Sequence, residues 1–256
     1  MRKSYIPPAY QNHVTPLCDN CYIYNKSLSD GLAGKLKKEN MKSSSTIPSH
    51  LLESFAHEVR PAHPVQWWRN TCKVTPRLFL SGGLSQNPEH ALVQLNNWVA
   101  DGVTHYIAVH EECDDRDFVE SNSNIKYAHI GVDDNGTPRD PRWFDEVATT
   151  ANKIFEDPNA VVMVTCWMGV NRGPSAAFAI LLSLGWKPLP ALRAIRTARP
   201  IAGIIYAPDA ASWWVERNGG SSSEACESYF EVEEWLDRNP LSLSWVIGSI
   251  GSRTGI

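Results

Sequence analysis

The chain has 256 residues, 43% of them hydrophobic, which is enough for one sizeable core with extensions. A net charge of -4 gives no overall electrostatic case for nucleic acid or an acidic membrane surface. Six cysteines at irregular spacings, no apolar h-region after MRKSYIPPAY and no run long enough to span a bilayer predict a soluble cytoplasmic protein rather than a disulfide framework.

Residues 1–60 are polar, carry Lys35, Lys37, Lys38, Lys42 and the serines 43–45, and read as a weakly ordered arm. Cys18 and Cys21 form a CxxC, half of a zinc site, that no second pair completes; His13, His57 and His63 could join it only through space. Two unconnected thiols are the plainer reading. A core is expected over residues 61–216. It opens with a strand at 77–81 that Gly82 and Gly83 terminate, then a helix capped by Asn87 and Pro88, with Leu92, Leu95, Trp98 and Val99 on one face and Gly102 after its end. Strands are expected at 103–109 and 125–132, the second running into the acidic loop Asp133, Asp134, Asn135, Gly136. Asp140 precedes Pro141 and an amphipathic helix carrying Trp143, Phe144, Val147, Ala151, Ile154 and Phe155, so it reads as an N-cap.

Residues 161–182, VVMVTCWMGVNRGPSAAFAILL, organise the rest. Residues 161–164 are a continuous apolar run, as in a strand buried on both faces of a parallel sheet. Cys166 and Arg172 then bracket a short loop, with Gly169 at its turn, and Pro174 suits the first turn of an almost wholly apolar helix. A loop between a strand and a helix N-terminus presents backbone N–H groups and a dipole that favour phosphate, and the same field favours the thiolate of Cys166, the nucleophilic form. Arg172 can hold two oxygens of a phosphoryl group with its planar fork. A phosphate ester also needs its leaving oxygen protonated, and a carboxylic acid on the nearby loop is the expected donor, Asp134 or its neighbour Asp133.

The stretch TCWMGVNRGPS resembles the loop of the cysteine-dependent phosphatases, in particular the dual-specificity protein phosphatases, whose pattern is His-Cys-x-x-Gly-x-x-Arg-Ser/Thr, often with Asn before the Arg. It matches at Cys166, Gly169, Asn171 and Arg172, and differs at Thr165, where His is usual, and at Gly173, where a hydroxyl residue is usual. RLFLSGGLS followed by DGVTHYIAV is similar to the family's opening elements. IGVDD is similar to its Ile-Pro-Val-x-Asp, with Gly131 for Pro and Asp134 in register with the general acid; Ile195, Arg196, Arg199 and Pro200 resemble its Ile-Arg-x-x-Arg-Pro. The resemblance implies an α/β fold with a central, mostly parallel sheet flanked by helices. It also implies a hydrolysis without metal or cofactor: Cys166 attacks phosphorus, Arg172 and the amides of Trp167, Met168, Gly169, Val170 and Asn171 hold the oxygens, and Asp134 protonates the leaving group. In the family the hydroxyl after the Arg bonds the Cys sulfur; Ser175, two residues beyond Gly173, is the nearest substitute.

The resemblance implies a phosphorylated protein as substrate, on phosphotyrosine and on phosphoserine or phosphothreonine; the loop side chains Trp167, Met168, Val170 and Asn171 are uncharged, which disfavours a polyanionic lipid headgroup. A catalytically weak or inactive phosphate-binding protein and an RNA 5′-phosphatase remain the alternatives, the first motivated by Thr165 and Gly173, the second by Asn171. After the loop, residues 189–200 read as a helix with Leu192 and Ile195 inward; Arg193, Arg196 and Arg199 either pack and pair or form a basic rim for substrate. Residues 208–214 start a closing helix. Residues 217–256 read as a flexible hinge at 219–223 and an acidic amphipathic helix whose face of Ala225, Tyr229, Val232, Trp235 and Leu236 either docks on the core or meets a protein partner.

Overall fold

The computed structural model describes residues 66–242 and Val246. The N-terminal arm, its CxxC and His13, His57 and His63 lie outside those residues. The sheet has five strands: β1 (Cys72–Thr75), β2 (Leu78–Gly82), β3 (His105–His110), β4 (Lys126–Val132) and β5 (Val162–Cys166), in the spatial order β1-β2-β5-β3-β4. β2, β5, β3 and β4 run parallel; β1 is an antiparallel edge. The expected central, mostly parallel sheet is thus the one formed. β5 lies between β2 and β3 with every residue buried, which is why its sequence is apolar without alternation.

Seven α-helices follow in the described chain: α1 (Pro88–Ala100), α2 (Arg116–Asn122), α3 (Pro141–Phe155), α4 (Arg172–Ser183), α5 (Pro188–Ala198), α6 (Ala207–Arg217) and α7 (Ser222–Arg238). One face of the sheet packs on α3 and α4 through Leu78, Leu80, Ile107, Val164, Phe144, Val147, Phe178 and Ile180. The other face packs on α1 through Phe79, Tyr106, Met163, Leu95 and Trp98. α4 is buried throughout residues 172–182, a helix enclosed on all sides, as its sequence implies.

Two expected caps are present: the Asn87 side chain accepts from the Glu89 and His90 amides, and Asp140 from that of Arg142. The buried face of α1 is corrected. It is Ala91, Gln94, Leu95 and Trp98, while Leu92 and Val99 are exposed. Gln94 turns inward because its amide nitrogen has carbonyls to bond, donating to Gly82 and Gly83 at 3.1 and 3.2 Å. The hinge is also corrected. Gly219 takes φ +78° at a tight turn, and Ser221 and Glu224 form a reciprocal capping box that starts α7 at once. The apolar face of α7 is used within the chain, with Ala225 and Val232 buried and Trp235 and Leu236 packed on the main core. Among the described residues no helix is long and apolar enough to cross a membrane.

Candidate active site

Three parallel strands deliver the site at their C-terminal ends, in the crevice where the strand order reverses around β5. β5 ends on Cys166, paired in register with Gly82 of β2. β3 leads to Glu112, and β4 leads through Val132 to Asp134. Cys166, Arg172, Glu112, Asp134 and the loop residues Trp167, Met168, Val170 and Asn171 line one cleft of about 440 Å³, with Cys166 only 2% exposed.

The loop between β5 and α4 is held from outside. Gly83 donates to the carbonyls of Cys166 and Trp167 at 2.8 and 3.2 Å, and Gly203 to that of Val170 at 2.6 Å. The Arg199 guanidinium takes the carbonyls of Met168 at 3.0 Å and Gly169 at 2.5 Å. Five successive carbonyls are therefore bound to donors beyond the loop. Since C=O and N–H point in opposite senses across a trans peptide, the amides of residues 167–171 are left to face the interior of the turn, an anion-binding arrangement. Gly169 has φ +65°, and a Cβ there would lie 2.5 Å from Arg199 Nη2 and 2.6 Å from the Ser81 carbonyl, so only glycine fits.

Arg199 is fully buried and also reaches the Trp68 carbonyl at 2.6 Å and Cys72 Sγ at 3.3 Å. It packs beneath the loop, and neither it, Arg193 nor Arg196 lines the cleft, so the alternative of a basic rim is set aside.

Arg172, the first residue of α4, makes a bidentate pair with Glu112, with Nη1–Oε2 2.9 Å and Nη2–Oε1 2.5 Å, and Nη1 also donates to the Val132 carbonyl at 2.9 Å. Burial alone would lower its pKa, but the Glu112 bonds and the charges of Cys166 and Asp134 outweigh burial and raise it. For Glu112 desolvation acts upward, and the Arg172 bonds and charge overcome it to leave its pKa below the usual value.

Asp134 sits beside this pair. Its Oδ1 accepts from Asn171 Nδ2 at 2.6 Å and Tyr206 OH at 2.9 Å, and its Oδ2 is 3.4 Å from Arg172 Nε. Asn171 Oδ1 in turn accepts the Ile205 amide at 2.8 Å. Ile204 just before it holds φ +57°, an unusual conformation for a β-branched residue that persists only where the surroundings over-determine it. Asp133 does not line the cleft; its carbonyl is bound by Arg139 Nη1 at 2.6 Å.

The positions that differ from the resembled pattern are also accounted for. Thr165, fully buried, bonds Tyr106 OH at 2.9 Å, and that hydroxyl reaches Asp115 Oδ2 at 2.9 Å. A Cβ on Gly173 would lie 3.5 Å from Cys166 Sγ and 3.1 Å from the Cys166 amide nitrogen. Ser175 Oγ is buried with no hydrogen-bond partner, so it does not stand in for a hydroxyl at position 173. Gly131 takes the place of proline where a Cβ would come within 3.0 Å of the His110 carbonyl.

Sequence reasoning did not identify Glu112 or Tyr206. Glu112 had a signal, a carboxylate just past the C-terminal end of a predicted parallel strand, where sites form. Tyr206 had none, since only the folding of residues 201–206 back over Asn171 brings it near Asp134.

No protein-family model and no curated protein sequence matches the chain. Among solved structures it is similar to human DUSP28, with 16% identity over 58% of this chain and 95% of that one and a TM-score of 0.47. It is similar to DUSP15, with 22% identity over 64% and 96% and a TM-score of 0.46. It is also similar to PTPMT1 in complex with PI(5)P, with 13% identity over 65% and 98% and a TM-score of 0.44.

Proposed function

We propose that the chain is a cysteine-dependent phosphatase that hydrolyses phosphate monoesters of proteins, phosphotyrosine together with phosphoserine and phosphothreonine. The observation that carries this reading is the convergence of Cys166, Arg172 and Asp134 on one cleft whose floor is a loop with its carbonyls bound outward. Cys166 attacks phosphorus in line and displaces the ester oxygen, which takes a proton from Asp134. The thiophosphate is then cleaved by water, with Asp134 accepting the water's proton. Arg172 and the amides of Trp167, Met168, Gly169, Val170 and Asn171 hold the non-bridging oxygens through both steps. Glu112 orients the guanidinium from its outer edge.

The lining of Trp167, Met168, Val170 and Ile205, with two carboxylates, supports an aryl or alkyl phosphate on a peptide over a polyanionic headgroup or RNA 5′ end. In EDTA the purified protein should hydrolyse a generic aryl phosphate, be inhibited by vanadate and lose activity with Cys166→Ser. Parallel assays on phosphopeptides, phosphoinositides and 5′-triphosphorylated RNA should favour the peptides. Turnover no greater than that of Cys166→Ser on all of them would overturn the enzyme reading and leave a phosphate-binding protein.

A further inference from the structure

The loop that leaves β3 carries a second cluster of chemistry-bearing side chains, outside the cleft lining. His110 is fully buried, and its Nε2 is 3.2 Å from Cys113 Sγ. Cys113 Sγ is 3.6 Å from Asp115 Oδ1, and Asp115 Oδ2 is 3.7 Å from His110 Nε2. We propose that His110, Cys113 and Asp115 bind a borderline-soft divalent cation, zinc by preference.

Cys113 Sγ is hydrogen-bonded to both His110 Nε2 and Asp115 Oδ1, so the three side chains converge on one point that an ion would take in place of the thiol proton. An N···O separation of 3.7 Å is too long for a hydrogen bond. Ligand atoms about 2.0–2.3 Å from a tetrahedral ion stand roughly 3.3–3.6 Å apart. The His110–Cys113 edge is 3.2 Å, and the 3.6 and 3.7 Å distances to Asp115 are to its two different oxygens; with one ligand atom from each residue, all three lie within 4.8 Å of one another, so a small turn of the carboxylate closes the triangle. The ligand set is one imidazole, one thiolate and one carboxylate, whose two negative charges balance a divalent ion, and a thiolate with an imidazole selects zinc over magnesium or calcium. Binding replaces the Cys113 thiol proton, which leaves to solvent, with the S–metal bond.

Asp115 is also oriented as a ligand should be. Its Oδ2 accepts the Tyr106 hydroxyl at 2.9 Å and its backbone N–H donates to Tyr127 OH at 3.1 Å. Cys113 and Asp115 keep partial solvent contact, so an ion can enter and complete its fourth position with water. Arg69, at the end of a 3-10 turn (Trp67–Arg69) that precedes β1, donates to Gln66 and Gly83. Tyr106 links the cluster to Thr165, next to the nucleophile, and Glu112, which holds Arg172, adjoins Cys113 in the chain. The site does not depend on the phosphatase reading.

The test uses the full chain with Cys166, Cys18 and Cys21 each replaced by Ser, titrated anaerobically with cobalt(II) chloride. The expected result is one equivalent bound, with a near-ultraviolet thiolate-to-cobalt band and the intense visible bands of a tetrahedral ion, all bleached by zinc chloride. Adding Cys113→Ser should abolish the near-ultraviolet band. Asp115→Asn, checked for folding by circular dichroism, should weaken binding by more than the roughly 10–100-fold that loss of an outer partner costs. A thiolate band that survives Cys113→Ser, a weak octahedral spectrum, or no binding would each overturn the site.

Discussion

Asn171 holds two segments at once, presenting its amide nitrogen to Asp134 and its oxygen to the Ile205 backbone. Tyr206 supplies the second donor to the same Asp134 oxygen. On the proposed mechanism these two position the general acid, and a lost positioning bond of about 1 kcal/mol corresponds to roughly a fivefold loss of rate. Asn171→Ala and Tyr206→Phe should therefore lower kcat by about that factor on an alkyl phosphate, whose leaving group needs protonation. An aryl phosphate with an acidic phenol should be nearly unaffected. Equal losses on both esters would assign the two residues to phosphate binding instead. Gly173 carries the other residue-scale expectation. With no hydroxyl on Cys166 Sγ and Ser175 Oγ out of reach, the thiolate is a poor leaving group and phosphoenzyme breakdown should limit turnover. Gly173→Ser should raise steady-state turnover roughly threefold to tenfold, the bond's value. Crowding at the Cys166 amide should cost some thermal stability. A linear time course in the parent and a slower mutant would contradict this.

The elements were legible where the sequence carries its own punctuation. β5 and α4 announce themselves by unbroken apolar runs, and α1 and α3 by Asn87-Pro88 and Asp140-Pro141, whose caps require no tertiary partner. α2 was not expected: its seven residues offer only Phe118 and Val119 to a core, too few for a periodic signal. β1 likewise shows itself only through its pairing with β2. For α6 the structure adds a pH dependence. Burial pushes the Asp209 carboxyl up to about 6, against the opposing hydrogen bond it accepts from the Arg139 amide. A carboxyl raised in the folded state contributes stability that is fully present below its unfolded pKa of about 4 and is lost as pH rises through about 6. Asp209 keeps partial solvent contact, which limits the effect to about 1–3 kcal/mol. Asp209→Asn should flatten stability between pH 4 and pH 7 and match or exceed the parent at pH 7.5 by urea unfolding. A mutant less stable at pH 7.5 with the slope retained would contradict that origin.

At the scale of the whole molecule the candidate site is a product of topology. Cys166, Gly169 and Arg172 were legible because they share one loop, and Asp134 because its strand ends in an acidic turn. Glu112, Tyr206 and the role of Arg199 required the parallel ends of β3, β4 and β5 and the return of residues 199–206 to be brought together. Nothing local in Tyr206 or Arg199 distinguishes them from surface or packing groups, and Glu112 shows only its place just past a strand end. The central claim is that Cys166 carries the phosphoryl group during turnover. Acid quenching of the protein milliseconds after mixing with an aryl phosphate in EDTA, followed by mass mapping, should find a phosphate adduct on the peptide containing Cys166. The adduct should be absent from Cys166→Ser and should appear with a burst of phenol. Release of phenol in a steady state with no adduct on Cys166 at any time, or an adduct on another residue, would contradict it.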